Sequence, residues 1–162
     1  MTRILKITAI LTALLVAQVT LLPPRLLDPF KPDLLLIAVT YLALTGTVRF
    51  GGGVAFLLGL VLDCFSGQYL GLNGFSFLAI YLVLEAIADR LYTDNLYLLI
   101  LVVFLVTVLN GMLHLILLVI FSVADGVYAT LLPALLPQGL VNALSVSLLS
   151  GFLIMKGAED EK

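Results

Sequence analysis

The run from Gly59 to Gly74, GLVLDCFSGQYLGLNG, sets one carboxylate, Asp63, among Leu, Val, Phe and Cys. An ionised side chain at the centre of a hydrocarbon layer costs about 2.5 kcal/mol or more, so such a residue marks either a functional site or a buried structural partner. Asp63 is followed by Ser66, Gly67, Gly71, Asn73, Gly74 and Ser76, a polar and helix-breaking stretch. Its carboxylate could accept backbone N–H groups released where one helix stops and the next starts, with Asn73 or Ser76 capping the second helix. The competing chemistry is proton relay or substrate binding.

Asn110 and His114 lie one helical turn apart, with Thr107 and Gly111 beside them. A histidine can shuttle protons or bind a metal. No Cys, Asp or Glu on the same segment completes a metal set, and hydrogen bonding between helices is the other role for this polar stripe. Glu85 stands one turn before Asp89 and close to Arg90, where snorkelling or pairing with a loop cation such as Arg49 would accommodate it. Cys64 is the only cysteine, which excludes an intrachain disulfide and a cysteine-rich metal site and reads as a small buried apolar residue. Nucleophile elbows, phosphate loops and His–carboxylate metal spacings are absent. The expectation is a protein that is not an enzyme, with no catalytic residues, no cofactor and no metal.

Gly51, Ala55 and Gly59 lead up to Asp63 in steps of four, and Gly139, Ala143, Ser147 and Gly151 repeat the spacing later in the chain. Small residues on one helix face let backbones approach where apolar solvent removes the hydrophobic drive to associate. Each stripe suits packing inside a bundle or against a partner helix, the second being the better partner face if the last helix is peripheral.

The elements that position these residues follow from composition. Of 162 residues, 62% are hydrophobic and 11% charged, with mean hydropathy +1.23, far above a soluble domain. This is the composition of an integral membrane protein with little mass outside the bilayer. A net charge of −2 without a basic cluster argues against a nucleic-acid partner. The N-terminal run has a basic start but no small-residue cleavage signal and reads as a retained first span.

Cutting the chain at its Pro, Gly and charge clusters predicts an all-α, six-span bundle in one domain over 1–162, with spans near 4–22, 33–48, 50–65, 71–88, 95–121 and 138–155. The third, roughly 24 Å long as a straight helix, is expected to be short and irregular. Residues 122–138 are expected to form the longest loop, on the outer surface of the bilayer. Six spans put Arg3, Lys6, Arg49, Arg90, Lys156 and Lys162 on one side and Arg25 and Lys31 on the other, so both termini are expected in the cytoplasm.

The strings KPDLLLIAVTYLAL and RFGGGVAFLLGLVLDCFSGQYLGLNGFSF resemble the rod shape-determining MreD family. The likeness rests on Pro32 and Asp33, Phe50 and Gly51, then Gly59, Asp63, Ser66, Gly67, Leu70, Gly71 and Asn73 in register, and is close over about residues 32–80. It implies a small polytopic protein of the bacterial inner membrane that works with the single-span MreC in the elongation machinery, alongside MreB, RodA and a penicillin-binding transpeptidase. The family is in turn similar to the substrate-binding subunits of energy-coupling-factor vitamin transporters, six-helix bundles with irregular segments. Two functions follow. One is an assembly protein that holds the helix of MreC and helps organise lateral peptidoglycan synthesis. The other is a transport-type binding protein for a small molecule or lipid-linked precursor, with an outward cavity lined by Asp63, Asn73, Asn110 and His114.

Overall fold

A computed structural model describes the backbone of residues 2–21, 30–46, 50–66, 69–88, 96–120 and 127–160, and the side chains within 7–20, 30–46, 50–66, 69–88, 96–120 and 132–150. These residues form six α-helices and no strand: α1 Thr2–Val16, α2 Leu34–Thr45, α3 Gly51–Ser66, α4 Leu72–Ala88, α5 Leu96–Ile120 and α6 Val127–Asp160. A π-helical turn, Ala17–Leu21, continues α1. Of the cations used to orient the chain, Arg25, Arg49, Arg90 and Lys162 lie outside the described residues, as do Gly67 and Asp89.

Helices α3 and α4 form one antiparallel hairpin and α5 and α6 a second, with α2 packed chiefly on α4 and also against α1, α3, α5 and α6. The core is accordingly centred on α2 and α4: Leu35, Leu36, Val39, Phe77, Ile80 and Tyr81 are all but inaccessible. Leu96–Ile120 and Leu132–Ser150 are each long and apolar enough to cross a membrane, and four shorter apolar helices accompany them. Leucines 132, 136, 140, 144 and 148 stand exposed in steps of four along α6, the pattern of a helix with an apolar face turned to lipid.

Three expectations need correction. The third helix is short, at 16 residues, as expected, but regular, and α2, with 12 residues and a length of about 18 Å, is shorter still. It is short because Asp33 caps its start and Gly46, in the left-handed conformation, closes its end. The sixth helix starts at Val127 and runs through Pro133 and Pro137, so the loop expected over 122–138 is helical from 127. Proline removes one backbone bond, a loss that membrane helices tolerate where neighbouring groups re-satisfy the freed carbonyl. Cys64 is exposed, because Asp63 and the small residues preceding it occupy the inward face of α3 and the next position is rotated by about 100°.

Candidate functional site

The buried faces of α3 and α4 meet along Gly51, Ala55, Gly59 and Asp63, the buried residues of α3. A Cβ on Gly59 would lie 2.5 Å from the backbone nitrogen of Gly74 and 2.6 Å from the Asn73 carbonyl oxygen, so glycine permits the two backbones to touch. Gly51 likewise abuts the Tyr81 ring. The first small-residue stripe is therefore covered by α4 and is not open to another chain's helix.

That close approach delivers Asp63 to the start of α4. Gly71, with φ +98°, precedes the first helical residue, and as glycine it has no side chain with which to cap the exposed donors. Asp63 supplies the acceptor from the neighbouring helix. Its Oδ2 accepts the N–H groups of Gly71 at 2.8 Å and Gly74 at 3.3 Å, and its Oδ1 accepts the Asn73 N–H at 3.1 Å and Asn73 Nδ2 at 2.7 Å. Only 1% of Asp63 is exposed; these donors and the positive end of the α4 dipole offset its desolvation. Ser66 Oγ donates to the Asp63 carbonyl at 3.3 Å. Ser76 does not cap the helix: its Oγ is buried without a partner.

A second carboxylate does the same for α2, and sequence reading assigned it no such role. Asp33 Oδ1 accepts the Leu36 N–H at 3.1 Å and Gln18 Nε2 at 2.9 Å, while Gln18 Oε1 accepts the Leu35 N–H at 2.8 Å. The Asp33 N–H donates to Asn142 Oδ1 at 2.8 Å, and Asn142 Nδ2 donates to Thr107 Oγ1 at 3.0 Å. This network joins the π-turn after α1 to α2, α5 and α6. Asn142 is fully inaccessible, and Gln18 and Thr107 are buried. The available signals were Asp three residues before Leu36, a capping spacing, and two lone amides, Gln18 and Asn142, within apolar runs.

Interhelical bonding within the α5 stripe thus falls to Thr107. Asn110 Oδ1 and His114 Nε2, expected to share it, are buried without hydrogen-bond partners. Glu85 is exposed, and the cations proposed to pair with it lie outside the described residues. Of the second stripe, Gly139 packs on Phe104 and Val108 of α5 and Ala143 is buried. Ser147 is exposed, and Gly151 lies beyond the side chains described.

The start of α4 and the end of α5 flank an open groove of about 380 Å³ lined by Tyr69, Leu70, Gly71, Leu72, Phe75, Leu117 and Leu118. Asp63, Asn73, Asn110 and His114 do not line it. Among the described residues no three of His, Cys, Asp and Glu gather where they could hold a metal. The arrangement binds helix termini together, and its carboxylates are engaged in doing so.

No match to a curated protein or to a solved structure was found. A family model described as rod shape-determining protein MreD matches residues 1–155, which takes in both carboxylate clasps and all but the last residues of the helices that they join, and the chain belongs to that family of membrane-embedded shape-determining proteins.

Proposed function

We propose that this chain is a non-enzymatic, multi-pass component of the bacterial inner membrane that binds MreC and helps organise lateral peptidoglycan synthesis beside MreB, RodA and a penicillin-binding transpeptidase. The family match over residues 1–155 carries the reading. The polar inventory supports assembly over transport: Asp63 accepts four donors from α4 and the turn before it, and the groove beside it is apolar. Both termini are cytoplasmic in this reading, and the architecture is akin to that of energy-coupling-factor binding subunits without their substrate.

Because the first small-residue stripe packs on α4 and half of the second on α5, the docking face for the MreC helix moves to the exposed ridge Leu140, Leu144 and Leu148, next to Ser147. A photoreactive residue at position 144 should form an adduct with MreC in membranes, and one at position 57, on the exposed side of α3, should not. Adducts at 57 alone would move the partner to the other hairpin. Failure of the two proteins to copurify in mild detergent would overturn the partner itself, and a retained lipid-linked precursor or small molecule in the same preparation would favour the transport-type reading.

A further inference from the structure

Three polar atoms buried on α4 and α5 lack partners: Ser76 Oγ, Asn110 Oδ1 and His114 Nε2. Ser76 is 1% exposed and Asn110 6%. Leaving such groups unpaired away from water is costly, so three on one pair of helices form a pattern that needs an explanation. The fourth unpartnered atom, Tyr81 Oη, belongs elsewhere, against Gly51.

The register of the two helices brings the three together. The groove sets Gly71, Leu72 and Phe75 of the α4 start beside Leu117 and Leu118 of the α5 end, and the two helices pack on each other. Four residues inward from Leu72 is Ser76, and four inward from Leu118 is His114, so both sit about 6 Å below the groove floor. Asn110 is one turn deeper on the same face of α5.

The chemistry selects the occupant. A hydroxyl can donate or accept, an amide oxygen accepts, and an imidazole nitrogen does either according to tautomer. Asp63, the carboxylate held at the start of α4, is engaged by four donors and is not available as a counter-charge. A small neutral molecule able to donate and accept matches this set, and water needs two to four such partners to occupy a buried site. We propose that Ser76, Asn110 and His114 bind water in the seam between α4 and α5, supplied through the groove above them.

His114 is the only histidine, so 15N-histidine labelling reports one imidazole in the full-length protein in detergent micelles. Magnetisation transfer from water to the non-exchanging His114 ring protons should be present in the parent and fall severalfold in the Ser76→Val, Asn110→Leu double variant. Should that variant fail to fold, Ser76→Ala removes one partner without adding bulk and should lower the transfer by about half. A ring as dry in the parent as in the variants overturns the proposal, as does transfer from detergent or lipid protons in place of water, or a water signal unaltered by Ser76→Ala.

Discussion

The backbone N–H of Asp33 donates to Asn142 Oδ1 at 2.8 Å across 109 residues of sequence. The same amide donates from Nδ2 to Thr107 Oγ1, which in turn donates to the Val103 carbonyl at 2.8 Å. One side chain therefore fixes α6 against both the start of α2 and the middle of α5. In a bilayer, where apolar contact with lipid competes equally with apolar contact between helices, bonds of this kind decide which faces meet.

Asn142→Leu should destabilise the fold by about 1–3 kcal/mol, because the Asp33 N–H and the Thr107 hydroxyl lose their shared partner in a dry site. Thr107→Val should cost less, since it strands only one amide hydrogen. The double variant should fall short of the sum, the signature of two residues in one network. Thermal unfolding in detergent of the three variants measures it, and strict additivity would separate the two residues.

The topology expected from the charge count is tested by cysteine labelling in a Cys64→Ser background. Leu70, 74% exposed at the end shared by both clasps, and Phe50, 78% exposed at the opposite end of α3, are sites at which replacement should not disturb packing. An impermeant thiol reagent applied to intact cells should label position 70 and spare position 50. The inverse pattern would put the termini outside.

The glycines of α3 divide sharply by environment. Gly53 has nothing within 4 Å of an added Cβ, while the same atom on Gly59 would strike the backbone of α4. Gly53→Ala should be neutral or stabilising by up to about 1 kcal/mol through helix propensity. Gly59→Ala should cost about 1–3 kcal/mol by overpacking and should loosen the Asp63 clasp, since the helices must separate for the methyl group to fit. Equal melting temperatures for the two variants would mean that the hairpin yields without cost.

Sequence alone made the α3–α4 hairpin legible, because a carboxylate in an apolar run, small residues in steps of four and a glycine-rich turn all lie within 25 residues. The Asp33 network was not legible in the same way. Gln18 and Asn142 are single amides in apolar segments, and what they bond to depends on contacts 15 and 109 residues away. The start of α6 was missed for another reason: Pro133 and Pro137 read as breaks by the rules of soluble helices, yet lie inside a helix. The α5 stripe was recognised as polar, but which of its members finds a partner depended on where Asn142 of α6 arrives.

Asp63 distinguishes a structural clasp from a proton relay, since the two respond oppositely to the same pair of substitutions. Its carboxylate oxygens accept three backbone N–H groups and the Asn73 amide at the start of α4. Asp63→Asn keeps one acceptor oxygen and nearly the same shape, but turns an NH₂ group toward donors and removes the charge from these bonds, so a loss on the order of 1–3 kcal/mol is expected. Asp63→Leu leaves every one of those donors unpaired away from water and should cost more, lowering the yield of folded protein. A relay would show the reverse emphasis, because asparagine cannot titrate and would abolish function in a chain that folds normally. The two variants are compared by thermal stability in detergent and by their ability to restore rod shape in cells lacking the native protein. The clasp predicts that the melting temperature and the restoration of shape decline together, with Asp63→Leu below Asp63→Asn. An Asp63→Asn protein as stable as the parent, still bound to its partner and unable to restore rod shape would assign Asp63 to proton transfer instead.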